Sequence, residues 1–326
     1  ASIYAAPIKV TIVSDDPAAV KSLADELHAA GAIVTEAARP RDVLAATHEK
    51  DEVIVLYRKD YTPYEVRDRA ALADLSNRGV NFVALRGAIA GPSASWGKDS
   101  FGAGWTPDSR RFRALMMLNV RTDAHPLARD ASTFDVTDDT VFNLELSEKI
   151  HVLASSFTSK VGANRKNITE VSDKASVYDI QPQAWVFENA RFRSAVFLQG
   201  DAATLAHASY RSFIKRGIAW AARRTNVDEL CTAQDLADMR YPVGGPSRAD
   251  KAIAAFQMQP GFKAAAVATE PLINKPIAVQ WDERGRLWIA ETPEYPNGRR
   301  PLTAEVWREG GVLVPGSYDR PAQDKI

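Results

Sequence analysis

Apolar and polar positions alternate in blocks over the first 90 residues, and these blocks predict strands separated by helices. Short apolar runs at 8–13 and 32–36 have the length and composition of buried strands. Between them, Asp16 precedes a proline and a segment with leucines on one helical face, so we expect it to cap a helix that ends before Gly31. The chain therefore starts with a strand–helix–strand pattern.

The same pattern repeats further along the chain. A short helix near 40–48 is expected before an apolar run at 52–57, and residues 80–85 form a fourth apolar run. The segment from Thr62 to Gly79 has the start and stop signals of a second long helix, because Thr62 is followed by proline and by the glutamate of a capping box. Apolar strands separated by amphipathic helices predict a doubly wound parallel sheet, an α/β fold.

The second half of this region is less regular. Residues 86–109 are rich in Gly, Ser and Pro and contain Trp96 and Trp105, so this long loop is expected either to form part of a ligand site or to cover the sheet. The polar segment 158–181 predicts an insertion, and 202–224 predicts a long helix. Further strands are expected at 115–122, 150–156, 183–187 and 192–198.

Composition along the chain predicts three parts. Residues 1–225 are expected to form the α/β domain, 226–255 a helical and Pro/Gly-rich linker, and 256–326 a β-rich segment. Within the last part, IAVQWD, ERG and RLWIAE predict a β-hairpin with Gly285 at its turn.

Composition and charge exclude several classes of partner and cofactor. Lys+Arg and Asp+Glu both number 41, so no overall charge attracts nucleic acid or anionic lipid. Cys231 is the single cysteine, which excludes an internal disulfide, a CxxC zinc site and a covalent CxxCH haem attachment within this chain. No apolar run approaches the roughly 18 residues that a membrane-spanning helix needs. The first residues, ASIYAAP, match the stub of a cleaved export signal or a frayed terminus, and we expect a periplasmic or otherwise exported protein.

Four motifs, in this order, resemble the ThuA-like (trehalose-utilisation) domain. They are the HP pair at 125–126, TDDTVF at 137–142, the QAWVFENARFRSAVFLQGD segment at 183–201 and RGIAWAA at 216–222. The resemblance covers most of residues 8–224. It implies a flavodoxin-like sheet related to class I glutamine amidotransferases, in agreement with the α/β pattern.

A second resemblance lies at 256–298, which is similar to the opening of the propeller in exported haem-binding proteins and membrane-bound dehydrogenases of planctomycete and verrucomicrobial type. A propeller needs at least about four blades of four strands, so residues 256–326 can form only its first strands. We expect either that the chain is a fragment of a longer protein or that a larger complex covers the open edge. The resemblance implies haem only in a missing C-terminal region or in a partner.

Residues that support chemistry in ThuA-like domains are replaced in this chain. The family commonly has a Gly-His pair where this chain has Gln199 and Gly200, and a further histidine in the loop after the fourth strand, where this chain has none. Amidotransferase chemistry needs a cysteine at a strained strand-to-helix elbow, and the corresponding stretch has Arg86 and no thiol. The remaining candidates for an acid or base are Asp15, Asp60 and Asp201.

Charged and aromatic side chains that follow the expected strand ends are the candidates for ligand binding. Carboxylates and guanidinium groups next to aromatic faces suit the recognition of polyols. These candidates are Asp16, Arg58, Tyr61, Arg86, Trp96, Trp105 and Gln199. The alternative is a solvated rim in which Asp16 acts only as a helix cap.

Three functions fit these patterns. We favour a non-catalytic module that binds a carbohydrate or a protein partner for an attached propeller or haem dehydrogenase-type protein. The alternatives are a structural accessory subunit of a larger redox or membrane-associated assembly and a carbohydrate-processing enzyme that uses carboxylates. For hydrolysis, two carboxylates would have to converge on one pocket.

Overall fold

A computed structural model describes residues 6–45, 52–121, 125–159, 178–269, 272–273, 275–292 and 326. The expected insertion at 158–181 lies largely outside these ranges, as do the end of the helix expected near 40–48 and most of the chain after the hairpin. The strands of the described residues are β1 (Lys9–Ser14), β2 (Ile33–Ala37), β3 (Val53–Arg58), β4 (Asn81–Arg86), β5 (Ala103–Gly104), β6 (Arg110–Val120), β7 (Phe134–Phe142), β8 (Glu145–Leu146), β9 (Ile150–Ser159), β10 (Tyr178–Glu188), β11 (Arg193–Phe197), β12 (Pro276–Trp281) and β13 (Leu287–Glu291).

Nine of these strands form one sheet in the order β2-β1-β3-β4-β11-β10-β9-β6-β7. The five strands from β2 to β11 are parallel to one another. With β1 between β2 and β3, this half has the strand order of flavodoxin-like sheets. The four early strands and the α/β fold predicted from the apolar runs are confirmed.

The other half of the sheet is antiparallel, so the predicted parallel sheet is confirmed for the five strands from β2 to β11 and does not extend to the other four. The reversal occurs between β10 and β11, where Asn189 Oδ1 accepts hydrogen bonds from the N–H groups of Arg191 and Phe192. A connection this short joins antiparallel strands, because a parallel pair needs a crossover of a dozen residues or more. Strand β7 was not predicted, and β6 and β10 begin earlier than the apolar pattern indicated.

The helices of the described residues are α1 (Pro17–Ala29), α2 (Val66–Asn77), α3 (Ala94–Phe101), α4 (Ala202–Leu205), α5 (Ala208–Ala221), α6 (Ala233–Arg240) and α7 (Ala249–Ala254). Helix α2 begins after Glu65, so the predicted cap at Thr62 was wrong. The last helix of the domain is interrupted at Ala206 and His207 and forms α4 and α5. None of the helices in the described part of the chain is long and apolar enough to cross a membrane.

Both faces of the sheet are buried at the central strands β3 and β4, as their near-continuous apolar runs predicted. Along β3, Val55 packs into the cluster that includes α1 and α5, and its neighbours Ile54 and Leu56 pack into the cluster on the opposite face. Trp96 and Trp105, from the long loop, pack against this second cluster. The loop contains α3 and covers the sheet, which is one of the two roles expected for it.

The C-terminal region contains the predicted hairpin. Strands β12 and β13 pair antiparallel, and Gly285 has φ +72° at the turn, where a glycine is favoured. The segment at 239–244 packs against the start of β7, because the N–H of Asp135 donates to Gly244 O and the N–H of Ser132 donates to Met239 O.

Candidate functional site

A cleft of about 540 Å³ opens at the carboxyl ends of β1 and β3. From β1 the chain continues to β2 on one side and later to β3 on the other, so strand order reverses here. Ligands of open α/β sheets bind where the connections diverge in this way. The walls include Ser14 and Asp15 from the end of β1, and Tyr57 and Arg58 from the end of β3.

Charged groups inside the cleft are paired with one another. Arg58 Nε lies 3.2 Å from a carboxylate oxygen of Asp15, and its Nη2 donates to the Thr62 hydroxyl at 3.0 Å. The guanidinium carbon stands 4.2 Å from the centre of the Tyr64 ring, a cation–π contact. On the opposite wall, Glu65 pairs with Arg39 at 3.3 Å. The cleft is therefore polar without carrying a strong net charge.

Asp16 has a different role from the predicted helix cap. It stands at the N-cap position of α1, but its side chain makes no capping hydrogen bond. Instead, one carboxylate oxygen accepts a hydrogen bond from Lys59 Nζ at 3.1 Å. Asp15 accepts one from the backbone N–H of Lys59 at 2.9 Å. The two acidic residues after β1 therefore hold the turn after β3 in place.

A strained turn follows β4, where Arg86 has φ 55° and ψ −119°. A residue other than glycine rarely adopts such a backbone, which costs about 1–3 kcal/mol and is found most often at functional sites. The turn is crowded, because a Cβ on Gly87 would stand 2.2 Å from Asp60 O and one on Gly200 2.8 Å from Arg86 Cβ. This is the geometry of a nucleophile elbow. It holds arginine here, as the sequence indicated.

The Arg86 side chain is buried in a network of carboxylates. Its Nη1 lies 3.1 Å from Asp138 and 2.5 Å from Asp201, and its Nε donates to the Lys59 carbonyl at 2.7 Å. Asp138 is fully buried and also accepts hydrogen bonds from the backbone N–H groups of Gly200 and Asp201. Burying a carboxylate is costly unless it is paired and hydrogen-bonded, and Asp138 meets both conditions.

Asp201 and Asp139 connect this network to β6. Arg113 contacts the second carboxylate oxygen of Asp201, and Arg111 pairs with Asp139 at 2.7 Å. Each oxygen of Asp201 therefore contacts an arginine, and a substrate would have to displace one of them to reach it.

Tyr61 and Trp105 lie beside this network. Their ring centres are 4.8 Å apart, and the Arg111 guanidinium stands 5.3 Å from the Tyr61 ring. The buried Tyr61 hydroxyl donates to Leu198 O, and burial raises its pKa. Burial likewise raises the pKa of Tyr57, to about 12, and its hydroxyl donates to Gly200 O at 3.0 Å. Both hydroxyls are neutral donors that fix the strand ends.

Gln199 is fully buried and supports the turn. Its Nε2 donates to Asp139 O at 3.1 Å and to Gln183 Oε1 at 2.8 Å, and its own carbonyl accepts from the Tyr210 hydroxyl. Trp96 packs edge-on against Phe101 with ring centres 4.9 Å apart. Gln199 thus belongs to the packed interior, and Trp96 is partly buried against the second core cluster.

The predicted site residues thus divide into separate groups. Asp15 and Arg58 line the cleft, and Arg86, Asp201 and Tyr61 surround the elbow. Asp60 is exposed and does not line the cleft. Residues that sequence reasoning did not select are Tyr57, Tyr64, Glu65, Arg111, Arg113, Asp138 and Asp139. Asp138 and Asp139 belong to the TDDTVF motif, but the sequence did not indicate that this acidic segment forms a buried strand.

The histidines within the described ranges do not form a metal site. His125 Nδ1 accepts the N–H of Leu127, and its ring packs edge-on against Trp220. Burial, together with the nearby His151, lowers the pKa of His125 to about 4. Among the described residues, no group of three or more His, Cys, Asp and Glu side chains is placed to hold a metal ion.

Several solved structures are similar to this chain at low sequence identity. A ThuA-like protein from Bacteroides uniformis ATCC 8492 is 14% identical, with a TM-score of 0.45 over 68% of this chain and 94% of that one. A GMP synthase protein from Thermoplasma acidophilum is 12% identical, with a TM-score of 0.39 over 68% and 96%. The carbohydrate deacetylase Agd3 is 15% identical, with a TM-score of 0.39 over 67% of this chain and 32% of that one. No curated protein matches the chain.

Comparison with family models gives two matches. A model described as a domain of unknown function (DUF7133) matches residues 248–320. The model described as trehalose utilisation (ThuA) matches residues 9–221, which is more than half of the chain. The chain therefore belongs to the ThuA family.

Proposed function

We propose that this chain is an exported, non-catalytic ThuA-family module that binds a carbohydrate or a protein partner for an attached propeller or haem dehydrogenase-type protein. The observation that supports this most directly is that the residue at the elbow is an arginine, Arg86. A nucleophile at such a turn must be a deprotonatable hydroxyl or thiol, and Arg86 has neither. Its guanidinium is held by Asp138 and Asp201, so it is not presented to a substrate.

Pairing of the candidate carboxylates also supports a role in binding. Hydrolysis of a glycoside needs an acid and a base or nucleophile on either side of one bond. Asp15 contacts Arg58 in the cleft, and Asp201 contacts two arginines beside the elbow. Asp201 does not line the cleft, and the two other carboxylates that do, Glu65 and Asp68, are paired with Arg39 and Arg41.

A turnover assay tests the absence of catalysis. Purified chain is incubated at high concentration with neutral disaccharides, and products are followed by chromatography over a day. We expect no product above a buffer blank. Product that disappears in Asp15→Asn or Asp201→Asn, but persists in the exposed control Asp25→Asn, would establish the carboxylate enzyme instead.

The exposed face of the hairpin favours a second candidate, an accessory subunit of a larger assembly. Ile277, Val279 and Trp281 alternate along β12 and are 65%, 60% and 58% exposed. A two-stranded hairpin is marginally stable alone, and an apolar face of this kind is normally covered by further strands or by a partner. Any haem attached covalently through CxxCH would belong to that partner or to a further part of a longer protein, since Cys231 alone cannot form this attachment.

Intact mass and a haem absorbance spectrum of the protein from its native source separate the two candidates. A mass well above 35.7 kDa with bound haem supports the attached propeller and haem module. A mass near 35.7 kDa without haem, in a complex with other chains, supports the accessory subunit. An uncomplexed monomer of that mass without haem would contradict both.

A further inference from the structure

The cleft between β1 and β3 has features that distinguish neutral ligands from anionic ones. In many α/β proteins, a helix N-terminus at this position binds phosphate through its free backbone N–H groups. Here Pro17 occupies the first position of α1, lines the cleft and has no N–H to donate. The preceding N–H, of Asp16, donates to the Ser14 hydroxyl at 3.0 Å. Neither of these two positions therefore offers a phosphate group a free N–H.

Carboxylates on the cleft walls also disfavour an anion. Asp15 lines the wall at the end of β1, and Glu65 and Asp68 line the wall beside α2. Because these carboxylates are paired with Arg58, Arg39 and Arg41, the walls carry no excess positive charge that would attract a phosphate group.

The arginines of the cleft do not compensate for this. Arg58 Nε faces Asp15 at 3.2 Å, and its Nη2 donates to Thr62. Arg39 Nη1 donates to Glu65 at 3.3 Å. Each guanidinium thus already has a carboxylate partner, which offsets the positive charge that would attract an anionic ligand.

Neutral hydroxyl groups fit the same walls without this cost. A hydroxyl both donates and accepts, so it can bind a carboxylate oxygen with unused lone pairs and an arginine N–H at the same time. The prolines Pro17, Pro40 and Pro63 line the cleft as well and provide apolar surface for the C–H face of a sugar ring.

We propose that the cleft between β1 and β3 binds a neutral, non-phosphorylated sugar or polyol and discriminates against its phosphorylated counterpart. The proposal rests on the carbohydrate-binding function proposed above. It adds the location of the site, which is the cleft and not the elbow of Arg86, and the charge class of the ligand.

Isothermal titration calorimetry on the full chain tests location and class together. The ligands are trehalose and maltose, each compared with a phosphorylated sugar, trehalose 6-phosphate or glucose 6-phosphate. The cleft variants are Asp15→Asn and Arg58→Gln. Their matched controls are Asp25→Asn and Arg67→Gln, which change exposed residues outside the cleft. Thr62→Trp, at an exposed position of the wall, fills the cleft without removing a buried pair.

We expect a neutral disaccharide to bind, and the cleft variants and Thr62→Trp to weaken it at least about ten-fold, the effect of losing roughly one hydrogen bond to a charged group. Controls should bind as the parent does, and the phosphorylated sugars should bind at least about ten-fold more weakly. Thr62→Trp keeps the test decisive if a charge variant fails to fold.

Three outcomes would overturn the proposal in distinguishable ways. Neutral sugar binding that survives every cleft variant would place the site elsewhere and leave the proposed function standing. Equal or tighter binding of the phosphorylated sugars would overturn the charge class alone. No binding of any sugar would overturn the carbohydrate-binding function itself.

Discussion

We predict that Asp138→Asn lowers the free energy of unfolding, because Asp138 is at the centre of the hydrogen-bond network around the elbow. The carboxylate accepts from Arg86 Nη1 at 3.1 Å and from the N–H groups of Asp139, Gly200 and Asp201 at 2.7, 2.9 and 3.0 Å. An asparagine amide has one oxygen and one NH2 group, so two of these donors would face another donor.

The cost should be large because the carboxylate is buried. Asp138 is 0% exposed, and its loss leaves Arg86 in a buried site with a weaker set of partners. Breaking a buried ion pair by removing one partner costs about 3–5 kcal/mol, and the remaining contact between Arg86 and Asp201 places the expectation near the lower end, about 3 kcal/mol.

Urea unfolding followed by tryptophan fluorescence and circular dichroism measures this cost. The control is Asp135→Asn, an exposed aspartate on the same strand, which should change stability by less than about 0.5 kcal/mol. In a double-mutant cycle with Arg86→Met, the two losses should be non-additive by at least about 1 kcal/mol. A loss below about 1 kcal/mol for Asp138→Asn, or additive losses in the cycle, would refute the network as the element that holds the elbow.

Further predictions concern other parts of the fold. The pKa of His125 is about 4 in the folded chain and ordinarily 6.5, so the neutral ring contributes to stability above pH 6.5, and this contribution is lost as pH falls toward 4; the loss is roughly 2 kcal/mol at pH 5. His125→Asn keeps a capping acceptor and should reduce the difference in the free energy of unfolding between pH 7.5 and pH 5, measured by urea unfolding. An unchanged pH dependence would contradict this. Gly87→Ala would place a Cβ 2.2 Å from Asp60 O, so it should lower stability by about 2–3 kcal/mol, and a thermal midpoint equal to the parent would show that the turn is not crowded. Tyr61→Phe removes a buried hydrogen bond to Leu198 O and should cost about 1 kcal/mol in the same assay, where no loss would mean that water replaces the hydroxyl.

The parallel half of the sheet could be predicted from sequence because each strand is a short apolar run between helices with visible ends. The start of α2 could not. Thr62 and Pro63 have the signature of a helix start, but the chain stays extended there because Tyr64 turns inward, donates its hydroxyl to Ala88 O and packs under Arg58. Tertiary packing overrides a local signal in this case.

Strand β7 was missed for a related reason. Asp138 and Asp139 in the middle of a segment argue against a buried strand. Their burial is stabilised by partners distant in the sequence, among them Arg86, which lies 52 residues from Asp138 along the chain, and Arg111, which pairs with Asp139. For the same reason, Arg86 was expected to contact a ligand but is buried and paired with carboxylates inside the fold. Gln199 was selected from its place in a family motif, and its three hydrogen bonds within the fold could not be inferred from that place.

Saturation-transfer difference NMR on the purified chain with a neutral disaccharide tests the central claim, binding without catalysis, most directly. One sample reports both contact, through transfer of saturation to the sugar protons, and turnover, through new anomeric resonances over time. We predict saturation transfer that a second neutral sugar competes away, with the sugar spectrum unchanged after a day. New anomeric resonances would show catalysis, and the absence of any transfer would show that the module does not bind carbohydrate.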